Sequence, residues 1–145
     1  MSTSRIMQFL LPLLLVSLIA TPFAKSEVII IASNDVSINK LDRSTIANIY
    51  LGKKTKWENG MRIRVVMLKK GATHESFSHN IVQKTPARIS TIWKKAIFTG
   101  TGTPPKILKT ASEIVAYIQK TPGAISYIDA GSAHEGVKII TLKEQ

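Results

Sequence analysis

The sequence predicts an α/β fold with a mainly parallel sheet flanked by helices. Two observations carry this prediction. Short apolar runs lack the polar alternation of half-exposed strands, and they alternate along the chain with amphipathic helical segments. A strand that helices cover on both faces is apolar along its whole length, as in parallel sheets. Residues 27–145 contain no further long apolar run, so we expect one domain with one core.

Four segments have the composition of strands. Val28–Ala32 is a run of five apolar residues. A second strand follows the Asn59-Gly60 turn and extends from about Arg62 to Leu68. The stretches "AISYI" at 124–128 and "VKIITL" at 137–142 are the third and fourth strands, with Lys138 pointing outward.

Helix signals separate these strands. Asp42 can cap a helix that ends at Gly52, and Thr85 can cap a second one with Pro86 at its first position. Thr110 and Glu113 have the spacing of a capping box ahead of a third helix. A shorter helix directs Phe77 and Ile81 inward. The helix after Thr85 carries an apolar stripe that we assign to the core: Ile89, Ile92, Trp93, Ala96 and Ile97. The stretch "FTGTGTPPK" between helices is an irregular loop.

The first 26 residues have the composition of a secretory signal peptide. Arg5 precedes an apolar run from residue 6 to residue 19, and Thr21, Pro22 and Ala24 follow it. We expect cleavage near residues 24–26 and a product that is periplasmic or secreted. The alternative is a retained N-terminal anchor, for which the run is near the lower length limit.

The charge balance is strongly basic. The chain has a formal charge of +11, and residues 27–145 keep +9 because Arg5 and Lys25 are the only charged residues before them. This excess points to an anionic partner, although solvated lysines that keep an exported protein soluble explain it equally well. The chain has no cysteine, which excludes disulfides and a lipid-anchored cysteine at the cleavage site.

Catalytic and metal-binding patterns are missing from the sequence. His74 and His79 are five residues apart rather than four, and His134 lies far from both. The chain contains no Gly-x-Ser-x-Gly elbow, no phosphate loop of the Walker type and no dinucleotide fingerprint. We therefore predict no enzyme activity, no metal and no cofactor. Nucleic-acid binding is also set aside, because the basic residues are scattered and most aromatic residues, Phe98 among them, have core-like spacing.

The best candidate site is the basic loop "KKGATHES" after the second strand. In α/β sheets, ligands lie beyond the carboxyl ends of strands, where helix N-termini present unpaired amides. The predicted anion-binding residues share a position at this helix start: Lys69, Lys70, Gly71, Thr73 and Ser76. Ordinary helix capping is the plain alternative for the glycine and the hydroxyl residues. A second wall could come from Thr101, Thr103 and Asp129.

Four segments in the same order resemble the phosphate-binding protein of phosphate ABC transporters. The stretch "LDRSTIANIYLGKKTKWENGMRIRVVML" is similar to the family's helix ending in "LGK" or "TGK", its tryptophan turn and its next strand. The loop "KKGATHESF" stands where the family has its phosphate-gripping loop, the helix "IWKKAIFTGTG" follows, and "TPGAISYID" resembles the family's "TPGSIGYVE".

The resemblance implies a single lobe of a periplasmic binding protein of type 2. Members of that family close two lobes around the anion, and all the matching segments belong to the second lobe. The family loop reads Arg-x-Asp-Gly-Ser-Gly-Thr, and counting back from Phe77 places Lys69 at the Arg and Gly71 at the Asp. Thr73 then stands at the Ser and Glu75 at the Thr. These departures imply weak binding, because Lys is a point charge and Glu75 repels an anion unless it turns away.

The resemblance therefore implies a non-catalytic solute-binding-like protein for phosphate or a related oxyanion, using residues 69–76. Its partners would be the anion, a membrane transporter or other envelope protein, and a second copy of the chain in a homodimer. The alternative is an envelope interaction module that keeps the binding-protein fold without its ligand and contacts an acidic partner or anionic lipid.

Overall fold

The computed structural model describes residues 27–144. The predicted signal peptide, residues 1–26, lies outside the described residues. Six strands are described, at β1 Val28–Ala32, β2 Lys40–Leu41, β3 Arg64–Leu68, β4 Lys106–Leu108, β5 Ala124–Asp129 and β6 Lys138–Leu142. Four α-helices lie between them, at α1 Arg43–Tyr50, α2 Ala72–Phe77, α3 Pro86–Phe98 and α4 Ala111–Gln119, and a π-helical segment, Ser78–Val82, continues α2.

The strands form one sheet in the order β2-β6-β1-β5-β3-β4. This confirms the predicted α/β class, and the sheet is mixed. The pairs β3 with β5, β3 with β4, and β2 with β6 are parallel, whereas β1 is antiparallel to both β5 and β6. The apolar run of β1 correctly indicated burial on both faces, but it carries no information about strand direction. Burial of both faces occurs in either direction when the strand lies in the middle of the sheet.

Two strands were not predicted. β2 has two residues and β4 has three, which is too short for a periodic pattern to be recognised. β4 begins at Lys106, the last residue of the stretch that we predicted to be an irregular loop.

Helix starts and turns follow the local signals. Asp42, Thr85 and Thr110 each accept a hydrogen bond from a first-turn amide of the helix that they precede. Gly52 and Gly60 have positive φ, at 74° and 85°, as a helix end and an Asn-Gly turn require.

The core centres on three aromatic rings that pack between the sheet and α1 and α2. Phe77 and Tyr127 stack with centroids 3.7 Å apart, and Tyr50 meets Phe77 edge-on at 4.7 Å. The buried Tyr50 hydroxyl donates to the carbonyl oxygen of Val66 or Ile125. As predicted, Phe77 and Ile81 face inward.

The apolar stripe of α3 is shorter than predicted. Ile89 and Trp93 are buried, but Ile97 is 50% exposed, and Phe98 is 93% exposed rather than in the core. Spacing alone could not show that the last turn of α3 is left uncovered, because exposure depends on which distant segments pack against the helix. Lys138 is half-buried rather than pointing freely outward, and its ammonium donates to the carbonyl oxygen of Val36.

Parallel register gives the sheet two distinct ends. β3, β4 and β5 all finish at one end, which we call the carboxyl edge, and α2 and α4 begin there. The opposite end, where these three strands begin, is the amino edge. Among residues 27–144, no helix is both long enough and apolar enough to cross a membrane.

Candidate functional site

The predicted anion loop lies at the carboxyl edge, between β3 and α2. Lys69, Lys70 and Gly71 are all exposed, and the Lys69 amide donates to the Leu108 carbonyl of β4 at 2.8 Å. Gly71 has φ 112° and ψ 173°, a backbone region that is essentially limited to glycine. An added Cβ at Gly71 would find no atom within 4 Å, so backbone conformation rather than lack of space accounts for glycine here.

The start of α2 differs from the other helix starts in the described chain. Asp42, Thr85 and Thr110 cap α1, α3 and α4 through their side chains, whereas Gly71 precedes α2 without a side-chain cap. Glu75 makes the first helical hydrogen bond, from its amide to the Gly71 carbonyl at 3.0 Å. The backbone amides of residues 72–74, which come before Glu75 in the first turn, are therefore left for a ligand or water.

Thr73 and Ser76 are both half-buried and lie three residues apart, so they share one face of α2. The Ser76 hydroxyl oxygen accepts a hydrogen bond from Asn80 Nδ2 at 3.1 Å. Its own proton remains available for donation to an oxyanion.

Glu75 turns away from the start of α2. Its Oε2 lies 3.3 Å from Nε2 of His79, one turn further along, and both side chains are exposed. This orientation relieves the repulsion that the sequence led us to expect between Glu75 and an anion at the loop.

A buried hydrogen-bond chain joins the loop to β5, and the sequence did not reveal it. The Tyr127 hydroxyl accepts from the Leu68 amide at 3.2 Å and lies 2.5 Å from Nδ1 of His74. Burial raises the pKa of Tyr127 and lowers the pKa of His74, although the charge of Glu75 partly offsets the latter. Tyr127 therefore donates to a neutral His74, and this pattern assigns the ring proton to Nε2. These two hydrogen bonds hold α2 against the end of β3.

Asp129 also lies at the carboxyl edge. It ends β5 and pairs with Val28 at the start of β1. Extending the parallel register of β3 with β5 brings Asp129 level with Lys69. The structure thus brings this residue to the same edge as residues 69–76.

Thr101 and Thr103 do not join that group, which corrects the predicted second wall. The Thr103 hydroxyl accepts from Nη2 of Arg62 at 3.2 Å, and Arg62 precedes β3 at the amino edge. Seven residues of extended chain, about 23 Å at 3.3 Å per residue, separate Arg62 from Lys69. The loop after α3 runs along the amino edge because β4, which follows it, is parallel to β3.

Within residues 27–144, no group of three or more histidine, aspartate or glutamate side chains is placed to hold a metal ion.

Several of the segments on which the sequence resemblance rests contact one another. Trp93 Nε1 donates to the Tyr50 carbonyl at 2.8 Å, and Trp57 Nε1 donates to the Gly123 carbonyl at 3.0 Å.

Comparison with known proteins identifies the fold. A model of the PBP superfamily domain matches residues 16–141. None of the curated protein sequences compared with the chain matches it.

Three solved structures share this architecture. An ABC-type phosphate transport receptor from Vibrio cholerae superposes with a TM-score of 0.59 at 19% identity, over 79% of this chain and 45% of the receptor. PstS from Borrelia burgdorferi gives 0.62 at 18% identity, over 79% and 46%. A Clostridium perfringens structure, described as a phosphate ABC transporter substrate-binding protein with bound phosphate, gives 0.62 at 21%, over 79% and 44%. The chain therefore spans less than half the length of each of these three structures.

Proposed function

Because the chain belongs to the PBP superfamily, we propose that it is a non-catalytic solute-binding-like protein that holds phosphate or a related oxyanion at residues 69–76. The uncapped start of α2 carries this proposal. Gly71, in a conformation that glycine alone adopts readily, exposes first-turn amides that the other three described α-helices cover with a side chain. Lys69 and Lys70 supply positive charge at the same point.

Phosphate is the proposed ligand for two reasons. The similar structures from Vibrio cholerae and Clostridium perfringens are described as phosphate receptors or binding proteins. The loop also offers what an oxyanion needs, namely backbone amides, two ammonium groups and the hydroxyls of Thr73 and Ser76.

We expect the affinity to be low. Lys69 and Lys70 are exposed, so water screens their charge, and ammonium groups lack the bidentate geometry of a guanidinium. A single lobe also leaves one side of the anion in water. A dissociation constant in the millimolar range, about 4 kcal/mol of binding free energy, fits these conditions.

The proposed setting is outside the cytoplasm. Export rests on the signal-peptide pattern in residues 1–26, and a membrane transporter would receive the anion. Dimerisation of the lobe would place a second surface over the loop. Mass spectrometry of the exported protein should find its first residue between positions 25 and 27, and an intact leader would contradict export with cleavage.

Isothermal titration calorimetry at low ionic strength tests the site. We expect saturable binding of phosphate, with sulfate and arsenate as competing ligands. Lys69→Gln combined with Lys70→Gln should weaken binding about tenfold, since two charges beside the anion are removed.

The matched control is Lys94→Gln with Lys95→Gln, which removes the same charge from the exposed face of α3 and should change affinity less than about twofold. Absence of heat at millimolar phosphate would contradict the proposal. It would instead agree with an interaction module that has lost its ligand. The comparisons give no separate support for that alternative.

A further inference from the structure

A second basic region lies at the amino edge, away from residues 69–76. It is an open groove of about 1130 Å³ between the end of α1, the start of β3, the end of α3 and the loop that precedes β4. We call it the basic groove. Its lining includes Thr101 and Thr103, the two residues that the sequence had placed at the anion loop.

The charged side chains that line the basic groove are all positive. Five basic side chains line it, and the lining contains no aspartate or glutamate; the five are Lys54, Lys56, Arg62, Arg64 and Lys106. Lys54 pairs with Glu58 at 3.0 Å, but within residues 27–144 the other four make no ion pair. Like charges held together without partners repel one another, so binding of an anionic group with several charges relieves that repulsion.

The groove also has an apolar floor. Leu51, Val65 and Ala96 are half-buried and contribute to its lining beside the largely buried Trp93. Ile97 in the last turn of α3 and Ile107 in β4 are also exposed, at 50% and 48%, but neither lines the groove. An occupant that combines carboxylates with apolar side chains therefore fits better than one that is purely ionic.

We propose that the basic groove binds an acidic, partly apolar segment of a partner protein. Its volume exceeds the roughly 300–1000 Å³ of ordinary small-molecule pockets, so a single oxyanion would leave most of it empty. Carboxylates of the segment pair with Arg62 and Arg64, and an apolar side chain covers the floor near Trp93.

Charge and shape disfavour the other occupants. A second copy carries the same basic excess, with only nine acidic residues spread along the chain. A flat bilayer surface contacts protruding residues, whereas this lining is concave. Single-stranded nucleic acid needs exposed rings for stacking, but Trp93 is 8% exposed and Lys106 already lies over the Tyr117 ring.

Fluorescence anisotropy with a labelled peptide of four Asp-Glu-Leu repeats tests this inference on the whole protein. We expect saturable binding at low salt. Arg62→Gln combined with Arg64→Gln should weaken it about tenfold, because two guanidiniums that face the segment are lost. The same peptide without leucine, made of Asp and Glu alone, should bind more weakly because it leaves the floor uncovered.

Two double variants serve as controls of equal charge change. Lys94→Gln with Lys95→Gln and Lys69→Gln with Lys70→Gln should each alter peptide affinity less than about twofold. Equal weakening by all three pairs would overturn the inference, because bulk charge alone would then explain binding. Tighter binding of an oligothymidylate or of phosphatidylglycerol vesicles would also overturn it. Melting temperatures of the variants, all of exposed residues, verify folding, and the phosphate titration reports separately on residues 69–76.

Discussion

His74 is the residue at which the site and the core meet. It is 6% exposed, and its Nδ1 faces the Tyr127 hydroxyl of β5 while its neighbours Thr73 and Glu75 belong to the surface of α2. Burial lowers the pKa of His74 from its ordinary value of 6.5. The folded protein therefore holds this imidazole neutral at pH values where the unfolded chain already binds a proton.

This pKa shift predicts a pH dependence of stability. Below pH 6.5 the unfolded state takes up a proton that the folded state does not, so the free energy of unfolding decreases as the pH falls toward the folded pKa. Above pH 6.5 this effect vanishes. His74→Gln should flatten the decrease, as measured by denaturant unfolding between about pH 5 and pH 8.

The control is His79→Gln, which changes an exposed histidine of the adjacent π-helical segment and leaves the buried hydrogen-bond chain intact. We expect this variant to retain the pH dependence of the wild type. If His74→Gln retained it as well, another group would be responsible.

At the scale of elements, the turn between α4 and β5 holds three parts of the fold together. The Gly123 carbonyl accepts from the Arg64 amide at 3.1 Å and from Trp57 Nε1 at 3.0 Å, and the Gly123 amide donates to Asp35 Oδ1 at 3.2 Å. These bonds join β5 to β3, to the tryptophan turn and to the loop after β1. In the sequence, Thr121-Pro122-Gly123 stood out only as the start of the stretch "TPGAISYID", which does not reveal these contacts.

Gly123→Ala should therefore destabilise the protein by roughly 2–4 kcal/mol. Gly123 has φ 74°, and an added Cβ would overlap the carbonyl oxygen of Arg62, which is backbone and cannot move aside easily. Urea unfolding monitored by tryptophan fluorescence measures the loss.

Gly60→Ala separates conformational strain from this clash. Gly60 has φ 85°, but nothing lies within 4 Å of its added Cβ, so we expect a cost of about 1 kcal/mol from backbone conformation alone. Equal losses for the two variants would show that the contact with Arg62 is unimportant.

At the scale of the whole molecule, positive charge lies at both ends of the sheet. Lys69 and Lys70 lie at the carboxyl edge, and the basic groove lies at the amino edge. Only two ion pairs occur within residues 27–144. Most basic side chains therefore repel one another in the folded state without local compensation.

Potassium chloride should consequently stabilise the protein. Screening of like charges over about 10 Å at 0.1 M salt weakens the repulsion, so we expect the melting temperature to rise by a few degrees from low salt to roughly 0.3 M. Chloride is the appropriate salt because phosphate and sulfate could bind the loop.

Arg62→Gln with Arg64→Gln should show a smaller rise in melting temperature than the wild type, because two unpaired charges of the basic groove are absent. A melting temperature that falls as chloride increases would mean that attractive surface pairs outweigh the repulsion, contrary to this account.

The sequence by itself determined the class of the fold, three helix caps and the main strands, and it indicated the loop that we propose for an anion. These features depend on residues a few positions apart, such as Thr110 with the Glu113 amide, or on an unbroken apolar run such as β1. Such short-range relations can be recognised without knowing where the chain goes next.

Only the tertiary structure decided the antiparallel direction of β1, the exposure of Phe98 and the separation of Thr101 and Thr103 from the anion loop. It also created the hydrogen bonds that join Leu68, Tyr127 and His74, of which the last two lie 53 positions apart. The basic groove likewise depends on tertiary structure, since Arg62 and Thr103 in its lining are 41 positions apart. These arrangements result from strand order and register, which depend on packing between distant segments and not on the composition of any one of them.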